Sequence, residues 1–107
     1  MSQPTQKLKE QTISLDRGKA EFVSEVLKAV AHPLRLRIVA ILCEGPEHVN
    51  RLAKLLEVSQ AVVSQQLRIL RMRRLVMVTR ENGCATYRIA EPRLRQLVDC
   101  MEHCDMK

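Results

Sequence analysis

The side chains in this 107-residue sequence best suited to chemistry are soft donors: Cys43, Cys84, Cys100 and Cys104, with His32, His48 and His103. Cys100 and Cys104 are four residues apart, so on a helix they share a face. Two thiolates placed there would grip a thiophilic ion such as As(III), Cd(II), Pb(II) or Zn(II). His103 adjoins Cys104 and would add a nitrogen, and Cys43 or a thiol from a second copy of the chain would complete the set. The same cysteines also suit a dithiol switch, in which an oxidant or a reactive sulfur species links two thiols. A third use is plain packing, since cysteine is a common buried residue. Cys84 and His32 read as structural, the first in a hairpin and the second in a His-Pro corner. No Cys-x-x-Cys, Gly-rich phosphate loop or acid–base pair accompanies these groups, so the reading is not an enzyme.

A second set of residues is polar and clustered. Ser59, Gln60, Ser64 and Gln65 fall on or near one face of a helix predicted over Gln60–Met72, and Arg68 follows one turn later. Glutamine pairs bidentately with adenine, while serine and arginine reach phosphates or guanine. Arg80 stands at the tip of a predicted hairpin, placed to meet backbone phosphate, and Arg88 is a further candidate for that role. Arg68, Arg71, Arg73 and Arg74 together supply attraction independent of base sequence.

The elements that must position these groups follow from periodicity and punctuation. Ala20, Val23, Leu27 and Val30 recur at helical spacing from Arg17 onward. His32-Pro33 ends that helix and opens another, Leu34–Leu42, because a residue before proline leaves the helical region while proline suits a first turn. Gly45-Pro46 stops it. A short helix over Val49–Leu56 leads through Glu57-Val58 to Ser59, a natural N-cap for Gln60–Met72. Leu75–Arg80 alternates and is rich in β-branched residues, and Asn82-Gly83 is a strong hairpin signal before the return strand Cys84–Ile89. Pro92 opens a last helix with the stripe Leu94, Leu97, Val98 and Met101.

The predicted fold is α+β and mostly helical: a winged helix-turn-helix with a β-hairpin wing, dimerising through its first and last helices. Residues 1–15 are expected to form a flexible tail and 16–107 one DNA-binding and dimerisation domain. Eighteen Lys+Arg against twelve Asp+Glu give a net charge of +6, which favours a polyanionic partner. No apolar run approaches the roughly 20 residues that span a bilayer, and the polar first residues lack the apolar segment of a signal peptide. A cytoplasmic protein with reduced thiols and no membrane partner is therefore expected.

Three blocks, in order, carry a family resemblance. They are Leu27-Lys28-Ala29-Val30-Ala31-His32-Pro33-Leu34-Arg35-Leu36-Arg37-Ile38, the stretch from Val58 to Arg71, and Leu75-Val76 with Gly83 and Thr86-Tyr87-Arg88-Ile89. Together they resemble the arsenic-repressor (ArsR/SmtB) family of metal-sensing repressors, over about Phe22 to Met101. The resemblance implies a homodimer that sits on double-stranded operator DNA and leaves when an inducer binds. It also marks departures. Gln66 stands where the family often has histidine. His48 and Asn50 occupy the positions of the family's usual Cys-x-Cys site, and Glu91, Arg93, Cys104 and Lys107 those of its zinc site on the last helix. Arginine and lysine cannot ligate zinc, so neither familiar site is expected. The expected inducer is a thiophilic metal or metalloid at the C-terminal cysteines, the alternative being reactive sulfur or oxidants acting on a dithiol.

Overall fold

A computed structural model describes residues 17–102, with no side-chain description for residue 102. The expected tail over 1–15 and the candidate ligands His103 and Cys104 lie outside the described residues. The elements are α1 (Arg17–Val30), α2 (Pro33–Glu44), β1 (Glu47–His48), α3 (Val49–Leu56), α4 (Gln60–Met72), β2 (Val76–Glu81), β3 (Cys84–Ile89) and α5 (Pro92–Glu102). The strands form an antiparallel sheet in the order β1-β3-β2.

Local chemistry accounts for the boundaries. His32 is extended and its Nδ1 accepts from the Leu34 N–H at 3.2 Å, capping α2 at the point where Pro33 occupies the first turn. Glu57, with φ 58°, closes α3 in the left-handed region, and the Val58 N–H reaches the Ala53 carbonyl at 3.1 Å. Asn82 and Gly83 both take positive φ (52° and 79°), the primed-turn geometry that matches the twist of a two-stranded hairpin.

The core is aliphatic. Ile38, Val39, Leu42, Leu52, Val63, Leu67 and Leu70 are wholly buried, and Leu75, Val76, Tyr87, Leu94 and Val98 extend the cluster under the sheet and α5. Helices α2, α3 and α4 therefore pack as one unit, with the hairpin at its edge.

Two departures from the sequence reading are informative. β1 was not predicted; it is two residues long and exists through its pairing with Tyr87 and Thr86 across 40 and 38 positions of chain respectively. In α1 the buried residues are Val26, Ala29 and Val30, so of the predicted stripe only Val30 reaches the core. Ala20 and Leu27 are exposed and Val23 is half-buried, leaving an apolar strip of α1 that is not covered among the described residues.

Candidate nucleic-acid interface and thiol sites

The reading head is built from α3, a left-handed turn and α4. Ser59 precedes α4 in extended conformation, and its Oγ accepts from the Val62 N–H at 3.2 Å, satisfying one of the unpaired donors of the first turn. Val63, Leu67 and Leu70 anchor one side of α4 in the core, while Gln60, Ser64, Gln65 and Arg68 are exposed on the other. The expected row of base- and phosphate-seeking side chains is therefore presented together, on a helix fixed by its apolar side.

The wing places Arg80 opposite Ala85, one pair from the closing pair Glu81 and Cys84, and exposed. Arg88 differs from expectation. It pairs with Met77 toward the base of the hairpin, is half-buried, and its buried Nε has no hydrogen-bond partner among the described residues. The basic cluster is also less uniform than its sequence implies. Arg68, Arg71 and Arg74 are exposed, but Arg73 donates to Glu25 Oε1 at 2.9 Å and so ties α4's end to α1.

Sequence reasoning missed the contribution of α3. Asn50, Arg51 and Lys54 line a surface depression with Ser59 and Gln60, adding two cations beside the start of α4. Their signal was available: Arg51 and Lys54 are three apart on a helix whose other side carries Leu52, Ala53 and Leu56. In a helix-turn-helix the first helix crosses the DNA backbone, and these cations lie on that first helix.

The candidate thiols are distributed. Cys43 is half-buried at the end of α2, and its carbonyl accepts from Arg95 Nη1 at 2.6 Å, which links α2 to α5. Cys43, Arg95 and Asp99 line one depression, whereas Cys100 is exposed on the α1 side of α5 beside Phe22, Val23 and Leu97. No group of three His, Cys, Asp or Glu suited to a metal is gathered among the described residues. Cys84 is exposed rather than packed, and shares a depression with His48, Asn50 and Gln60. His48 Nδ1 donates to the Ala85 carbonyl at 3.0 Å and so helps hold β1 against β3.

Of the positions matching the family's zinc site, Glu91 and Arg93 are described and pair with each other, whereas Cys104 and Lys107 lie outside the described residues. Arg93 Nε donates to Glu91 Oε2 at 3.0 Å and Nη2 to Oε1 at 3.3 Å, occupying the carboxylate. That hydrogen bonding, with the Arg93 backbone N–H, holds the Glu91 carboxyl below its usual range. The guanidinium also lies 3.8 Å from the centroid of the Phe22 ring, bridging α5 to α1.

Comparison with known proteins decides the family. The model described as "Bacterial regulatory protein, arsR family" matches residues 32–78, the segment from the His-Pro corner through α4 into β2. The chain is 35% identical over 83 residues to the biofilm growth-associated repressor of Xylella fastidiosa, covering 78% of this chain and 73% of that protein. The chain belongs to the ArsR family. This ArsR-family protein is a DNA-binding transcriptional repressor rather than an enzyme. Its fold agrees with the crystal structure of the transcriptional repressor BigR from Xylella fastidiosa, at a TM-score of 0.76 and 31% identity, over 92% of this chain and 98% of that one. It also matches the homodimeric winged helix-turn-helix DNA-binding domain Mb0332 from Mycobacterium bovis, at a TM-score of 0.70 and 30% identity, covering 81% and 82% of the respective chains.

Proposed function

We propose that two copies of this ArsR-family repressor bind operator DNA, each laying α4 in a major groove, and that occupation or linkage of cysteines on and beside α5 releases them. The observation carrying the DNA part is α4 itself: a capped helix with a fully buried aliphatic side and an exposed row of Gln60, Ser64, Gln65 and Arg68. Gln60, Ser64 and Gln65 read base edges, Ser59 and Arg68 meet base or phosphate, and Arg80 grips phosphate from the wing. Residues 16–107 act as one DNA-binding and dimerisation unit.

Dimerisation runs through α1 and α5. Leu27 and Met101, 46% and 38% exposed, belong to apolar strips left uncovered among the described residues, and Mb0332 is described as homodimeric.

For the inducer, the first reading is a thiophilic ion held by Cys100 and Cys104, with Cys43 or His103 completing the set. The accessibility of Cys100 supports it. The second reading is a sulfur or disulfide link between thiols, and what favours it is the placing of Cys43 and Cys100 on two helices that Arg95 ties together.

The test begins by selecting duplexes from a random pool and measuring fluorescence anisotropy against salt. Sequence-blind or salt-insensitive binding would overturn the operator reading. As(III), Cd(II), Pb(II), Zn(II) and polysulfide are then added to the preformed complex. Release by an ion, abolished in both Cys100→Ser and Cys104→Ser proteins, supports the first reading. Release by polysulfide, with a mass gain that bridges Cys43 to a C-terminal cysteine, supports the second. Normal responses in Cys43→Ser, Cys100→Ser and Cys104→Ser proteins alike would defeat both.

A further inference from the structure

Arg35 sits in the first turn of α2, where converging backbone N–H groups disfavour a cation. Its side chain turns away from that end. Nε donates to the Ala29 carbonyl at 2.6 Å, one of the last carbonyls of α1, and Nη1 donates to Gln66 Oε1 at 3.0 Å on α4. Both bonds are part-buried, and they span 6 and 31 positions of chain. One guanidinium therefore caps the end of α1 and holds the flank of α4.

Gln66 lies between two sides of that helix. Val63, Leu67 and Leu70 are wholly buried on one side, and Ser64 and Gln65 are exposed on the other. Aliphatic burial fixes how close α4 sits to the core, but it is non-directional and tolerates rotation about the helix axis. A charge-assisted hydrogen bond is short and directional. Base readout by glutamine needs placement within roughly 0.5 Å and 10–20°.

We propose that Arg35 is a positioning residue for operator recognition: a strap from α1 through Gln66 that sets the rotation of α4 in the groove. The inference rests on the operator-binding reading above. It gives the half-buried Gln66 a function that contact with DNA would not supply, since its oxygen is already engaged by Arg35.

The test compares Arg35→Met, Gln66→Met, their double variant and Gln66→Glu with the wild-type protein. The dissociation constant is measured for the selected operator and for a scrambled duplex of equal length, across a salt series, alongside thermal midpoints. Loss of the strap should lower the operator-over-scrambled ratio roughly tenfold in each methionine variant, the size of one charge-assisted hydrogen bond. The double variant should fall no further than either single one. Gln66→Glu keeps an acceptor for Arg35, so it should weaken both duplexes through repulsion while preserving the ratio. If Arg35→Met does not fold, the two Gln66 variants alone still separate the outcomes.

An unchanged ratio with only a lower thermal midpoint would reduce Arg35 to a structural residue and overturn the proposal. A ratio unchanged with a salt slope reduced by about one would overturn it differently, making Arg35 a phosphate contact. Wild-type protein with no operator preference would instead defeat the operator-binding reading, and this inference with it.

Discussion

Replacing Ser59 with alanine removes the Oγ that accepts from the Val62 N–H at 3.2 Å and leaves one more donor of α4's first turn to solvent. Loss of a serine N-cap costs about 0.5–2 kcal/mol, and the length and exposure of this bond place it in the lower half, about 0.5–1 kcal/mol. For a domain of this size that shifts the thermal midpoint by about 3–6 °C, measured at one protein concentration because any self-association would make the midpoint depend on it. The same turn carries Gln60, so fraying there should weaken operator binding by up to about fivefold. The assay pairs thermal melts with anisotropy on the selected duplex for Ser59→Ala, Ser59→Asn and Ser59→Asp. Asparagine and aspartate both keep a capping acceptor, so both should hold wild-type stability. Aspartate adds a negative charge at the DNA surface and should lose affinity. Were Ser59→Asn to melt as low as Ser59→Ala, the cap would not be what Ser59 supplies; were Ser59→Ala to melt like the wild type, α4's start would need no cap at all.

Three other outcomes follow from the same geometry. Arg80→Ala should reduce the salt slope of binding by about one per subunit while leaving base preference intact, and a changed preference would mean that the wing reads sequence. Leu67→Ala, at a wholly buried site, should cost about 2–5 kcal/mol in a denaturant melt, and a cost below 1 would show that the core collapses onto the gap. The Glu91 carboxyl is held low by Arg93, so its stabilising contribution is present above the unfolded-state pKa and is lost as pH falls through the folded-state value. Glu91→Gln should flatten that acid limb of the stability profile, and an unchanged limb would show that the pair stabilises nothing.

Features governed by neighbouring residues were legible in the sequence. The Ser59 cap, the His32-Pro33 corner and the Asn82-Gly83 turn each depend on a few adjacent side chains, and each lies where the pattern placed it. Features set by distant partners were not. β1 needs Thr86 and Tyr87, Arg73 is engaged by Glu25, and Arg35 meets Gln66 across 31 positions. Helix α1 is apolar on more than one side, so its period was plain while its inward side was not; Val26 and Ala29 won the core through packing against α2. Cys84 looked isolated because its neighbour His48 reaches it through strand pairing. Among the DNA candidates, Ser59, Gln60, Ser64, Gln65 and Arg68 were readable from helical spacing, whereas the part-burial of Arg88 came from the sheet.

The division of α4 into a wholly buried side and an exposed one has an evolutionary consequence. Val63, Leu67 and Leu70 answer to the core, while Gln60, Ser64 and Gln65 answer to whatever lies outside. Substitutions at the second set remove no core packing, so they should fall within the small range of ordinary surface changes, about ±0.5 kcal/mol. A copied gene could therefore be retargeted to a new promoter one exposed residue at a time, without passing through an unstable intermediate.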